Sequence, residues 1–181
     1  MMKRVGFLGG LAATLGAGSI GARAAGISTV LLLAATDPSL DDAFTNEFAE
    51  VLRERGVNVV DPSSVHVTYH QRSTLVAAVF GPVLAVAANS VGWIETQYHS
   101  RRALFATVDL HRNSLPYGEF TVHQVRATCS FRCMDVLSRE IVKAGIGHGE
   151  ERGEDLADVS ERAGSLAIRQ AAATAAAALR D

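Results

Sequence analysis

Residues 28–35, "STVLLLAA", form an unbroken apolar run of strand length, the pattern of a strand buried on both faces. In "TDPSLDD" after it, Ser39 stands three residues before Asp42 in a capping-box-like arrangement. Leu40, Ala43, Phe44, Phe48, Val51 and Leu52 then recur at helical spacing, and Gly56 supplies the C-terminal cap. "VNVVDP", stopped by Pro62, reads as the next strand. Residues 28–61 therefore predict a strand–helix–strand unit, paired in parallel through a right-handed crossover.

"VHVTYHQ" (65–71) alternates Val65, Val67 and Tyr69 as a strand would. Residues 74–94, "TLVAAVFGPVLAVAANSVGWI", carry no charge over 21 positions. Length alone lets that run contact or cross a bilayer. Gly81-Pro82 at its middle equally predicts two short buried elements. "WIETQYH" (93–99) reads as strand-like. "RALFATVDLH" (102–111) and "EFTVHQVRATCSF" (119–131) predict an antiparallel hairpin, with "RNSLPYG" (112–118) as a long loop between them. "GIGHGEERGED" (145–155) reads as a polar glycine-rich loop, and residues 155–179 as an alanine-rich helix. The fold class that follows is α/β (α+β): a mixed sheet with the strand–helix–strand unit, the hairpin and the C-terminal helix.

"GAGSIG" (16–21) matches G-x-G-x-x-G through Gly16, Gly18 and Gly21. A dinucleotide site needs a strand running into the first glycine, and Leu11-Ala12-Ala13-Thr14-Leu15 is poor in strand formers. Lys3-Arg4, an uncharged stretch from Val5 to Ala22, and Ala22-Arg23-Ala24 instead make the three parts of an export signal. Residues 1–24 are thus expected to be a signal peptide and 25–181 a single domain, exported to the periplasm or cell envelope. No cysteine stands near the cut, so a lipid anchor is not indicated. The alternative keeps those glycines in a cytoplasmic nucleotide-binding enzyme.

Composition narrows the function. The 181 residues carry 17 Lys and Arg against 19 Asp and Glu. Loss of Lys3, Arg4 and Arg23 lowers the 17 basic residues by three to 14, leaving an acidic domain without the basic footprint of a nucleic-acid binder. Cys129 and Cys133 could close a disulfide only if a bulge or turn intervened, because four strand residues set them about 13 Å apart; two plain thiols are the other reading. His66 and His70 have the i, i+4 spacing of a helical metal pair, without the glutamate of a metalloprotease or an evident third ligand. Asp109 and His111 share one strand face as i and i+2 neighbours. No nucleophile motif or catalytic constellation is present, so no catalytic residue and no cofactor are assigned. Phe80, Trp93, Tyr98 and Tyr117 are the candidate interaction residues.

Several short motifs carry a resemblance: Arg55-Gly56 with Val59-Val60-Asp61, then Thr96-Gln97-Tyr98, Val108-Asp109-Leu110 and Gly118-Glu119. In this order the chain resembles exported envelope proteins of the curli-assembly lipoprotein (CsgG-like) type, and the small α/β domains of the TolB N-terminal and penicillin-binding-protein-activator kind. The resemblance implies a non-catalytic envelope component that forms homo-oligomers or binds other envelope proteins, and it transfers no catalytic residue. A periplasmic small-molecule-binding protein, its pocket lined by residues 74–94, is the further alternative.

Overall fold

A computed structural model describes residues 27–81 and 91–180. The 1–24 segment with Gly16, Gly18 and Gly21, and the middle of the uncharged 74–94 run, lie outside the described residues. Four strands form one sheet in the order β1-β2-β3-β4: β1 (Thr29–Ala35), β2 (Arg102–Tyr117), β3 (Phe120–Asp135) and β4 (Glu140–Gly153). β1 pairs with β2 in parallel, and β2, β3 and β4 follow as an antiparallel meander. The α/β class and the mixed sheet are as the sequence predicts. The second strand of the N-terminal unit is reduced to one parallel bridge, Thr29 to Val59, on the outer side of β1.

Helix α1 (Asp41–Glu54) buries Phe44, Phe48, Ala49 and Leu52. Its start differs from the Ser39 cap. Asp37 caps a single 3₁₀ turn, Pro38–Leu40, and α1 opens at Asp41 behind Leu40. Gly56 ends it as expected, at φ 83°: its N–H donates to the Arg53 carbonyl while the Val57 N–H reaches back to that of Leu52.

Helix α2 (Tyr69–Phe80) replaces the strand expected over 65–71. Thr68 Oγ1 accepts the Gln71 N–H, and Gln71 Oε1 accepts the Thr68 N–H, a complete capping box that starts a helix at this point. A second correction concerns 93–99, which is helix α3 (Gly92–Tyr98), closed by His99 in the left-handed conformation at φ 49°. The described parts of the 74–94 run pack inward: Val76, Val79, Val91 and Ile94 are buried with Val30, Leu32 and Phe105 on the sheet. Among the described residues no helix is long and apolar enough to cross a membrane.

The glycine-rich stretch 145–155 is not a loop: it forms most of β4, and helix α4 (Leu156–Leu179) follows Asp155, whose side chain accepts the Ala157 and Asp158 N–H groups. The glycines recur at period two, so Gly145, Gly147, Gly149 and Gly153 all meet α4. A methyl group on Gly147 would lie 2.1 Å from the Ala167 carbonyl oxygen, and one on Gly149 2.1 Å from that of Ala163. Four helical residues rise about 6 Å, close to the ~6.6 Å of two strand residues. Alanines spaced by four on α4 therefore keep step with alternate glycines on β4.

Helices α1 and α4 cover one sheet face, burying Leu31, Leu33, Leu104, Val108, Val125 and Phe131 among others. On the opposite face α2 and α3 cover β1 and the adjoining part of β2. The far half of that face carries no helix among the described residues.

Candidate interaction surfaces

"RNSLPYG" is strand, not loop. β2 continues to Tyr117, and the hairpin closes on two residues, Gly118 and Glu119, with Tyr117 opposite Phe120. Gly118 holds φ 63° at the first central position, where a two-residue turn of this kind favours glycine. The ladder to β1 ends at Val108, so β2 runs nine residues, about 30 Å, past its parallel neighbour. β4 accompanies β3 only as far as His123. Residues 114–122 thus project as a bare two-stranded ribbon.

The ribbon has two unlike faces. Leu115 and Tyr117 stand opposite Val122 and Phe120 on one of them. Leu115 is 49% exposed, Tyr117 77% and Phe120 62%. Ser114, Pro116, Thr121 and His123 occupy the other face, where Ser114 Oγ and His123 Nδ1 lie 2.8 Å apart. A serine–histidine contact invites comparison with a nucleophile and its base. Here the pair is exposed, and among the described residues no carboxylate orients the imidazole, so it acts as a cross-strand hydrogen bond. Glu119 is the one charged residue in 114–122.

Below the tip the uncovered face is polar, in three rows across β2, β3 and β4: Asp109–Thr128–His148, His111–Arg126–Glu150 and Asn113–Gln124–Arg152. Asp109 and His111 share this face as expected. Glu150 accepts from Gln124 and from Arg126 (3.1 Å), with Arg152 at 3.4 Å. The Gln124 hydrogen bond first, then the two arginines, hold its carboxyl below the usual range. The Glu150 charge is answered by Arg126 and Arg152, as on a solvated sheet surface.

The sequence-derived candidates do not converge on one site. His66 precedes α2 and His70 lies in its first turn, so the i, i+4 helical pair is not formed. Both histidines line a cavity of about 420 Å³ with Val67, Leu75 and Trp93. Among the described residues no three metal-ligating side chains gather. Phe80 lies beneath the Arg132 guanidinium, 5.0 Å from the ring centre, while Arg132 donates to the Val79 carbonyl. Tyr98 packs edge-on against Trp93, accepts the His66 N–H and donates to the Ser64 carbonyl. Tyr117 alone of the four stands out in solvent. Leu115 and Phe120 are its neighbours on the tip: Leu115 falls in the segment expected as a loop and Phe120 in the expected strand 119–131, and only the hairpin register brings them together.

Cys129 and Cys133 are free thiols. Both sit on the same face of β3 beneath α4, inside one continuous strand, and no turn brings the sulfurs together. Burial pushes the Cys129 thiol up to about 12 and that of Cys133 to about 11. Thiolate is the reactive form. Iodoacetamide at pH 8 should therefore leave both residues unlabelled in the folded protein and label both in denaturant, as read by intact mass.

Among the described residues Asp41 is the one buried carboxylate. Its Oδ1 accepts the Ala35 N–H at 2.7 Å and its Oδ2 has no partner among the described residues. Burial raises its pKa, against the Ala35 hydrogen bond and the charge of Arg72. The group therefore favours the folded state when protonated, and that contribution is lost as pH rises through its folded pKa.

No protein-family model matches this chain, and no curated protein matches it. Solved structures do. The hypothetical protein CT253 of Chlamydia trachomatis matches at a TM-score of 0.52 and 11% identity, over 85% of this chain and 97% of that one. The fold is shared. Lipoprotein GNA1162 of Neisseria meningitidis is similar at a TM-score of 0.46 and 14% identity, over 71% of this chain and 85% of its own. The PelC dodecamer of Paraburkholderia phytofirmans is similar at 0.45 and 15%, over 82% and 86%. At such identities the likeness extends to chain path and to no residue's role.

Proposed function

We propose that the protein is an exported, non-catalytic component of the cell envelope that works through association with copies of itself or with other envelope proteins. One observation carries the reading: the β2–β3 ribbon extends past both neighbouring strands and ends in an apolar face of exposed Leu115, Tyr117 and Phe120 beside half-buried Val122. A projecting ribbon of this kind adds nothing to the core and exposes aromatic surface to water. Aromatic side chains are the usual anchors of protein interfaces. The basic start, uncharged stretch and Ala22-Arg23-Ala24 supply the route out of the cytoplasm.

Intact mass and cell fraction in the native host test the export half of this reading. The expected result is a chain beginning at Ala25 and recovered outside the cytoplasm. A full-length cytoplasmic chain would overturn it and return Gly16, Gly18 and Gly21 to use as a nucleotide loop.

A further inference from the structure

The hairpin tip and the cavity beside α2 and α3 match in polarity and charge. Tyr117 and Phe120 stand opposite one another at the end of the ribbon, mostly in water, and the turn between them carries Glu119. Cross-strand partners lie about 5 Å apart, so the two rings make one aromatic knob. Val67, Leu75 and Trp93 give the cavity, of about 420 Å³, an apolar wall. That volume falls within the roughly 300–1,000 Å³ of sites that enclose small organic groups.

His66 and His70 stand in the polar part of the lining, which includes no acidic side chain among the described residues. Imidazole N–H groups donate to a carboxylate, and a protonated imidazole adds the opposite charge. Glu119, the one charged residue in 114–122, is a carboxylate such a lining accepts. Two tips meeting each other would instead bring two Glu119 carboxylates together, with no Lys or Arg in 114–122 to answer them.

We infer that, in the self-association proposed above and resting on it, the tip of one copy seats in the α2–α3 cavity of the next. Tyr117 and Phe120 then meet Trp93 and Leu75, and Glu119 meets the histidines. No chain fills its own cavity. Helix α3 ends at the start of β1, where the His99 carbonyl accepts the Ser28 hydroxyl at 3.3 Å. The ribbon leaves from the other end of β1 and runs about 30 Å beyond it. Contact is therefore between unlike surfaces, and successive copies form an open chain or a closed ring.

Two variants test the pairing by being mixed. Tyr117→Ser with Phe120→Ser removes the knob and keeps the cavity. Thr74→Glu with Gln97→Glu puts carboxylates at two exposed lining positions, where they repel Glu119 and leave the core untouched. Thr74→Glu alone serves if that double variant does not fold. In sedimentation velocity each variant alone should associate about tenfold or more weakly than the unaltered chain, at an unchanged thermal midpoint. An equimolar mixture should regain a 1:1 complex, because one intact knob and one intact cavity remain. Trp93, the single tryptophan, should change its emission in the mixture and in neither variant alone. A cavity variant that associates as the unaltered chain does would overturn the inference and leave self-association through the tip standing. Weakening without recovery in the mixture would do the same. An unaltered chain that stays monomeric at every concentration would overturn both this pairing and the self-association beneath it.

Discussion

Gly147→Ala should destabilise the protein by more than any other single-methyl addition considered above, about 3 kcal/mol or more in urea unfolding. The added methyl meets backbone on two sides, the Ala167 carbonyl oxygen at 2.1 Å and the Ala171 nitrogen at 2.6 Å. Side chains can rotate away from an intruder, but the backbone of a helix cannot move without lifting the whole element. Helix α4 buries Val159, Ala163, Ala167, Ile168, Ala171 and Ala175 against the sheet, so a shift large enough to admit the methyl loosens a major part of the core. Gly92→Ala is the control: the new methyl there has nothing within 4 Å, and a change under about 0.5 kcal/mol is expected. Equal effects at the two positions would show that α4 does not lie on β4 as described.

The double substitution Tyr117→Ser, Phe120→Ser should have the opposite profile. Both side chains are mostly in water already, so folding stability should hold within about 0.5 kcal/mol. Association should weaken tenfold or more, because removing an aromatic anchor from an interface centre commonly costs over ~1 kcal/mol each. Separation of these two readouts is what marks a surface as functional. A core residue loses both together. The Gly118-Glu119 turn and the Ser114–His123 contact on the opposite face remain intact in this variant, so the ribbon itself is preserved.

The sequence was legible wherever local pattern and tertiary context agree. The uniform apolar run of β1, the glycine stop at Gly56 and the alanine-rich final helix each have one reading. Misreadings arose where two local signals compete. Over 65–71 the alternation of valines suggested a strand, but Thr68 and Gln71 form the capping box that nucleates α2. Pro116 suggested a break in "RNSLPYG". It is tolerated in β2 because the β1 ladder has already ended at Val108, leaving no partner there for the missing N–H. The glycines after residue 144 suggested a loop; their period of two is itself a strand signal, and only the docked α4 shows why side chains are excluded.

The interaction surface was legible in part. Tyr117 was identifiable as an aromatic in a polar stretch. Its partnership with Leu115, Phe120 and Val122 depends on the hairpin register, which sequence does not reveal when the turn is misplaced. Phe80 and Tyr98 look equally available in sequence, yet one lies beneath Arg132 and the other anchors the 64–66 backbone.

Self-association through the hairpin tip is tested by sedimentation velocity of residues 25–181, run over a hundredfold concentration range beside the Tyr117→Ser, Phe120→Ser variant. Larger species should grow with concentration in the unaltered protein and diminish in the variant. Two identical profiles, whether both monomeric or both assembled, would contradict self-association through the hairpin tip.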